Sequence, residues 1–142
     1  MTKKIAALLA ITGLLSVVLL LFDSVLRSGA PTHYDTVIIF ALVDFGLAAV
    51  VAAKSSRTTL MLAVAWSALQ ILLEIGDITQ ASVYQFSSYA QFADYLFNPL
   101  SATATSLGNP LGIPGAVLDL SLLLQLITAV QGWRASKAKN PA

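Results

Sequence analysis

Four long apolar segments alternate with short polar stretches along this chain. They cover about residues 5–22, 36–53, 58–75 and 113–133. Each has close to the ~20 residues that an α-helix needs to cross a hydrocarbon core ~30 Å thick. Runs such as LLSVVLLLF lack the strict alternation of membrane β-strands. Because a chain in lipid must satisfy its own backbone hydrogen bonds, the pattern predicts four transmembrane helices.

The predicted fold is an all-α integral membrane protein in which residues 1–142 form a single domain. Its core is a bundle of four transmembrane helices, with sequential neighbours antiparallel. The long outer loop between the third and fourth helices, residues 76–112, contains an amphipathic helix, which Asn98 and Pro99 end. This amphipathic helix could lie on the headgroups, cap the bundle or dock against a partner. The predicted partner contacts are its aromatic and apolar side chains, Phe86, Tyr89, Phe92, Leu96 and Phe97.

The positive charges indicate the orientation of the bundle. Arg27 alone lies on the outer side, and the other basic residues flank the opposite helix ends: Lys3, Lys4, Lys54, Arg57, Arg134, Lys137 and Lys139. The positive-inside rule therefore predicts a multi-pass protein of the cell membrane with cytoplasmic N- and C-termini. The first apolar segment exceeds the ~7–15 residues of a signal-peptide core, so we expect it to be a retained helix.

Composition narrows the function classes. Hydrophobic residues make up 57% of the chain, charged residues 11%, and the mean hydropathy is +0.80. An ordinary soluble domain has about a quarter charged residues, so this chain has too few to cover a soluble surface. A net charge of +1 argues against nucleic acid as a partner. The absence of cysteine from the sequence excludes disulfides, thiolate metal ligands and a cysteine nucleophile.

A few polar residues interrupt the apolar segments and are the candidate functional positions. We predict an intramembrane polar cluster of Asp44, Gln70, Glu74 and Asp119 in the outer half or near the middle of the bilayer. A separate polar stripe on the fourth helix contains Ser121, Gln125 and Thr128. The cluster has three interpretations: hydrogen bonds between helices, a proton or cation pathway, or a metal site.

The metal interpretation depends on His33 and Asp35, at the outer end of the second helix. A single histidine without a second ligand at helical spacing is not a metal motif. The sequence also lacks GxSxG, HExxH, P-loop and dinucleotide-binding patterns. We therefore predict no catalytic, cofactor-binding or metal-binding residues, and a protein that is not an enzyme.

These observations favour a non-catalytic accessory or structural subunit of a larger membrane protein complex. Respiratory and other redox complexes commonly contain such subunits. Its predicted partners are lipid and other integral membrane subunits, with a homo-oligomer as a further option. The alternative is a small oligomeric transporter or proton- or ion-translocating protein that uses Asp44, Glu74 and Asp119.

Overall fold

The computed structural model describes residues 1–22, 31–80, 90 and 112–139, with side chains described at 1–22, 34–73, 90, 117–118 and 120–136. Its four helices are α1, Thr2–Phe22; α2, Pro31–Ala53; α3, Arg57–Gln80; and α4, Gly112–Lys139. The predictions of an all-α chain and of four helices at these places are confirmed. Most of the predicted amphipathic stretch lies outside the described residues, where Ala90 alone is described, as helical and exposed.

The helices are longer than the apolar segments that predicted them. α2 begins at Pro31 instead of residue 36, and α4 continues to Lys139 instead of ending at 133. Hydropathy reports only where the side chains are apolar, whereas backbone hydrogen bonds continue through polar flanks. Proline suits the start of α2, because the first residues of a helix have no partner for their N–H groups.

A short turn of residues 54–56 joins α2 to α3. The Ser56 hydroxyl accepts a hydrogen bond from the Thr59 backbone N–H at 3.1 Å, and the Thr59 hydroxyl accepts one from the Ser56 N–H at 2.9 Å. This reciprocal pair is a capping box in which threonine replaces the usual Glu or Gln. It satisfies two backbone donors and fixes the point at which α3 begins.

The helices pack in the cyclic order α1–α2–α3–α4, with sequential neighbours antiparallel. Thr2 and Ser55 are joined by a hydroxyl hydrogen bond of 3.1 Å, so the start of α1 lies at the end of α2. The backbone at Gly132 of α4 also lies against Ile5. The α1–α2 packing is extensive, whereas α2 and α3 contact each other much less, although a short turn joins them.

The interior has two parts along the bundle axis. The part beside the termini and the α2–α3 turn, here called the apolar end, has a core of buried aliphatic residues: Ile5, Leu9, Ala48, Val51, Leu60, Ala63 and Ala129. Trp66 and Trp133 pack against it. The next part contains the buried polar residues and is called the polar layer: Thr12, Ser16, Asp44, Ser67, Gln70, Ser121 and Gln125.

Within the part of the chain that the structure describes, two helices are long and apolar enough to cross a membrane. They are α1, Thr2–Phe22, and the part Tyr34–Ala53 of α2, with mean hydropathies of 2.8 and 2.4. The part Arg57–Leu73 of α3 is a shorter apolar segment. This finding concerns length and composition, which the core helix of a soluble protein or an N-terminal signal sequence can share. Only 33% and 22% of the two segments are buried in the bundle, however.

Candidate functional site: the polar layer

Asp44 is the acceptor at the centre of the polar layer. Its Oδ1 accepts a hydrogen bond of 2.7 Å from the Trp66 indole Nε1, and its Oδ2 accepts one of 2.9 Å from Gln70 Nε2. The side chain is fully buried. Both donors come from α3, so their long side chains bridge α2 and α3. The backbones of these two helices are in less contact than those of the other neighbouring helices. Phe40 packs edge-on against the Trp66 ring, with centroids 5.4 Å apart.

Gln125 connects α4 to the same network. Its Nε2 donates to Ser67 Oγ at 2.8 Å and to Gln70 Oε1 at 3.1 Å. The Ser67 hydroxyl in turn donates to the carbonyl of Ala63, one helical turn earlier, at 2.7 Å. An uninterrupted series of hydrogen bonds therefore leads from Trp66 through Asp44, Gln70 and Gln125 to Ser67. The amide oxygen of Gln125 is buried and has no hydrogen-bond partner among the described residues.

A hydroxyl contact between Thr12 and Ser121 joins α1 to α4. The hydroxyls of Thr12 and Ser121 lie 3.1 Å apart, and both residues are buried. Each hydroxyl also lies within hydrogen-bond distance of a carbonyl of its own helix, Leu8 O for Thr12 and Leu118 O for Ser121. Each hydroxyl has one proton to donate. One hydroxyl therefore donates to the carbonyl of its own helix, and the other donates across the interface between α1 and α4.

A glycine brings α1 close to Asp44. A Cβ atom added at Gly13 would lie 3.3 Å from Asp44 Cβ and 3.2 Å from Phe45 Cζ, closer than ordinary van der Waals contact. The absence of a side chain therefore permits the close α1–α2 crossing beside the Cβ atom of Asp44. Gly46, by contrast, has nothing within 4 Å of such a Cβ.

Two residues of the predicted intramembrane cluster have side chains in the described part of the structure. Asp44 and Gln70 are in direct contact, 2.9 Å apart. Glu74 lies in α3 and Asp119 in α4, but their side chains fall outside the described part. Two residues of the predicted stripe contact other helices: Gln125 donates to Gln70, and Ser121 contacts Thr12. The predicted partner contacts, Phe86, Tyr89, Phe92, Leu96 and Phe97, also lie outside the described residues.

Sequence reasoning missed Trp66, Thr12 and Ser16, and it named Gln125 without connecting it to Asp44 and Gln70. An indole counts as apolar in a hydropathy pattern, although its N–H is a donor that needs a partner when buried. Its spacing of four residues from Gln70 places both on one face of α3 and could have indicated a shared acceptor. For Gln125, a helical wheel shows which residues share its face of α4. It does not show that this face is turned toward α3.

The polar layer has the chemistry of an interhelical hydrogen-bond network. Among the side chains that the structure describes, no group of three or more His, Cys, Asp or Glu residues could hold a metal ion. Asp35 is exposed, and the side chain of His33 is outside the described part. Both oxygens of Asp44 already accept hydrogen bonds, and its neighbours are amides, hydroxyls and an indole.

Large apolar side chains are exposed on the outer surface of the bundle, in contrast to the buried polar side chains of the polar layer. Each helix exposes large apolar side chains, such as Leu14 at 57%, Leu42 at 66%, Leu72 at 66% and Leu120 at 56%. Soluble proteins expose single apolar residues but rarely a continuous apolar surface on every helix. In comparisons with protein-family models, curated proteins and solved structures, nothing matches this chain.

Proposed function

We propose that this chain is an integral membrane protein whose four helices all cross the bilayer. The distribution of side chains supports this proposal: the polar residues of the polar layer are buried, and large apolar residues cover the outside of α1 to α4. A helix bundle in water has the opposite arrangement, with its apolar face inside. The buried positions of α1 pack within the bundle, which favours a retained helix over a cleaved signal sequence.

The orientation follows from the positive charges at one end of the bundle. The hydrogen bond between Thr2 and Ser55 and the contact of Gly132 with Ile5 bring together the helix ends that carry basic residues. These residues include Lys3, Lys54 and Arg134, all exposed. By the positive-inside rule this end faces the cytoplasm, together with both termini.

Labelling of introduced cysteines tests the orientation cleanly, because the chain contains no native cysteine. Ser55→Cys lies in the turn at the basic end, and Asp35→Cys lies near the start of α2 at the opposite end; both positions are exposed. In intact cells a membrane-impermeant maleimide should label Asp35→Cys, whereas Ser55→Cys should react only after permeabilisation. Equal labelling of both variants in intact cells would contradict the four-span topology.

Within the membrane, the function that this geometry supports best is that of a non-catalytic accessory subunit of a larger membrane complex. The observation that carries this proposal is the engagement of the buried polar side chains with one another across helices. Asp44, Gln70 and Gln125 hold α2, α3 and α4 together, and these bonds occupy both oxygens of the carboxylate. The apolar outer surface is then available to lipid and to other membrane subunits.

Extraction of native membranes in a mild detergent, followed by sizing and mass spectrometry, tests the accessory role. We expect the chain to co-migrate in fixed stoichiometry with larger integral membrane subunits, of respiratory or other redox complexes among others. Deletion of this chain should then reduce the amount of the assembled complex.

Migration alone or as a homo-oligomer would contradict the proposal and favour the transporter alternative. Proton and ion flux of Asp44→Asn in vesicles, with Asp35→Asn as control, would test that alternative.

A further inference from the structure

The hydrogen bonds around Asp44 are donated toward its carboxyl group, apart from one branch that leads from Gln125 to Ser67. Trp66 Nε1 and Gln70 Nε2 donate to the carboxyl group, Gln125 Nε2 donates to Gln70 Oε1, and the same nitrogen donates to Ser67 Oγ. Both carboxyl oxygens are acceptors, which is the pattern of an ionised carboxylate. At the far end of the series, Gln125 Oε1 is buried and has no partner among the described residues.

A proton added to Asp44 does not fit this arrangement. On Oδ1 the new hydroxyl would face the Trp66 N–H, and on Oδ2 it would face the Gln70 NH₂ group. An indole nitrogen can only donate, so the Trp66 contact cannot be reversed. The Gln70 amide can be reversed, because half a turn of its terminal torsion exchanges oxygen and nitrogen with almost no change in shape.

The reversal propagates through the same contacts. With Gln70 turned, the protonated Oδ2 donates to Gln70 Oε1 over the 2.9 Å contact, and Gln70 Nε2 faces the Gln125 amide over the 3.1 Å contact. That amide must then turn as well, to present its oxygen, and its NH₂ group takes the buried position of Oε1, which has no partner among the described residues. The Ser67 hydroxyl rotates away from the Ala63 carbonyl and donates to Gln125 Oε1 over the 2.8 Å contact. The Ala63 carbonyl keeps the backbone bond of the helix.

We propose that Asp44 is a binding site for one proton, and that occupation of this site reverses the hydrogen bonds through Gln70 and Gln125 to Ser67. The only bond formed is O–H on the carboxyl group, and the bond broken is an O–H of a hydronium ion, which is left as water. The two states use the same side chains at the same separations, so neither requires the helices to move. The inference does not depend on the accessory role, because it concerns the interior of the bundle alone.

The groups that face Asp44 make this proton site a simple one. They include its hydrogen-bond donors Trp66 and Gln70 of α3, the adjoining Gln125 of α4 and, beside its Cβ, the Gly13 backbone of α1, none of which titrates. Among the described side chains, no charged group contacts the carboxyl. Glu74 and Asp119 share the helices α3 and α4 with the network, at positions where no side chain is described.

A pH titration of the full chain in lipid discs, labelled with ¹⁵N in the glutamine side chains, tests the inference. We expect the amide signals of Gln70 and Gln125 to shift together, with one midpoint. An infrared carbonyl band of a protonated carboxyl should appear at the same midpoint. The exposed Gln131 amide supplies an internal reference that should not follow this titration.

Asp44→Asn identifies the group responsible. The asparagine oxygen can accept from Trp66 while its NH₂ donates to a turned Gln70, so this variant imitates the proton-bound state. Its Gln70 and Gln125 signals should stay at the acid position at every pH, whereas Asp35→Asn should titrate like the wild type. Wild-type amide signals that do not change wherever the bundle stays folded would overturn the inference. So would signals that titrate unchanged in Asp44→Asn.

Discussion

The apolar end and the polar layer are stabilised in different ways, although they are neighbouring parts of one bundle. At the apolar end, residues such as Leu9, Val51 and Leu60 pack without hydrogen bonds. In the polar layer, each of the four helices contributes at least one buried hydroxyl, amide or carboxyl. In lipid the apolar end gains little from burial, since lipid tails are as apolar as leucine. Directional contacts then define which helix faces fit together.

This difference predicts how each part responds to substitution. Apolar packing tolerates a change of shape at similar volume, typically at less than ~1.5 kcal/mol. A hydrogen-bond network is less tolerant, because the removal of one member leaves its partners buried and unsatisfied. We therefore expect the largest effects at Asp44, smaller ones where helices cross closely, and the smallest at isolated hydroxyl pairs.

The largest effect is expected for Asp44→Leu. This change removes the acceptor of both Trp66 Nε1 and Gln70 Nε2. Each orphaned donor costs about 1–3 kcal/mol, so we expect a loss on the order of 2 kcal/mol or more in the free energy of unfolding. Asp44→Asn should lose less, because its oxygen still accepts from Trp66. Reversible unfolding in mixed detergent micelles measures both variants.

Leu60→Met at the apolar end is the matched control for this experiment. It conserves volume at a buried position without a polar contact, so we expect a change below ~1.5 kcal/mol. If Asp44→Leu were as stable as Leu60→Met, the carboxyl group would not organise the polar layer, and the comparison between the two parts would fail.

The sequence was sufficient for some of this architecture and insufficient for the rest. Apolar segments of helical length predicted the four helices, because the period and length of such segments are visible in one chain. The same reasoning singled out Asp44 and Gln70 as polar residues in apolar surroundings. It did not join Gln125 to them, since the rotation of one helix relative to another depends on packing at positions such as Gly13. It also missed Trp66, whose single N–H is hidden in an apolar residue type.

A smaller effect is expected where α1 crosses α2. Gly13→Ala places a Cβ 3.3 Å from Asp44 Cβ, and this neighbour cannot move without disturbing its bonds to α3. The intrinsic gain of alanine over glycine in a helix, ~0.5–1 kcal/mol, should be cancelled or reversed. We therefore expect Gly13→Ala to destabilise the bundle by about 1 kcal/mol in the same unfolding measurement.

Gly46→Ala tests whether the effect is specific to the crossing. This glycine lies in α2 with nothing within 4 Å of an added Cβ, so only the intrinsic preference should remain. We expect it to be neutral or to stabilise the bundle by up to ~1 kcal/mol. Equal effects of the two substitutions would show that Gly13 is not needed for close packing beside Asp44.

The smallest effect is expected for the hydroxyl pair of Thr12 and Ser121, which are 3.1 Å apart in the polar layer. A double-mutant cycle of Thr12→Val and Ser121→Ala isolates their interaction, and comparable contacts between membrane helices average ~0.6 kcal/mol.

The pair of Thr2 and Ser55 has the same separation but is exposed at the helix ends, where water competes for both hydroxyls. We expect its cycle, Thr2→Ala with Ser55→Ala, to give a coupling near zero. A coupling as large at the exposed pair as at the buried one would mean that burial in the polar layer adds nothing to these hydrogen bonds.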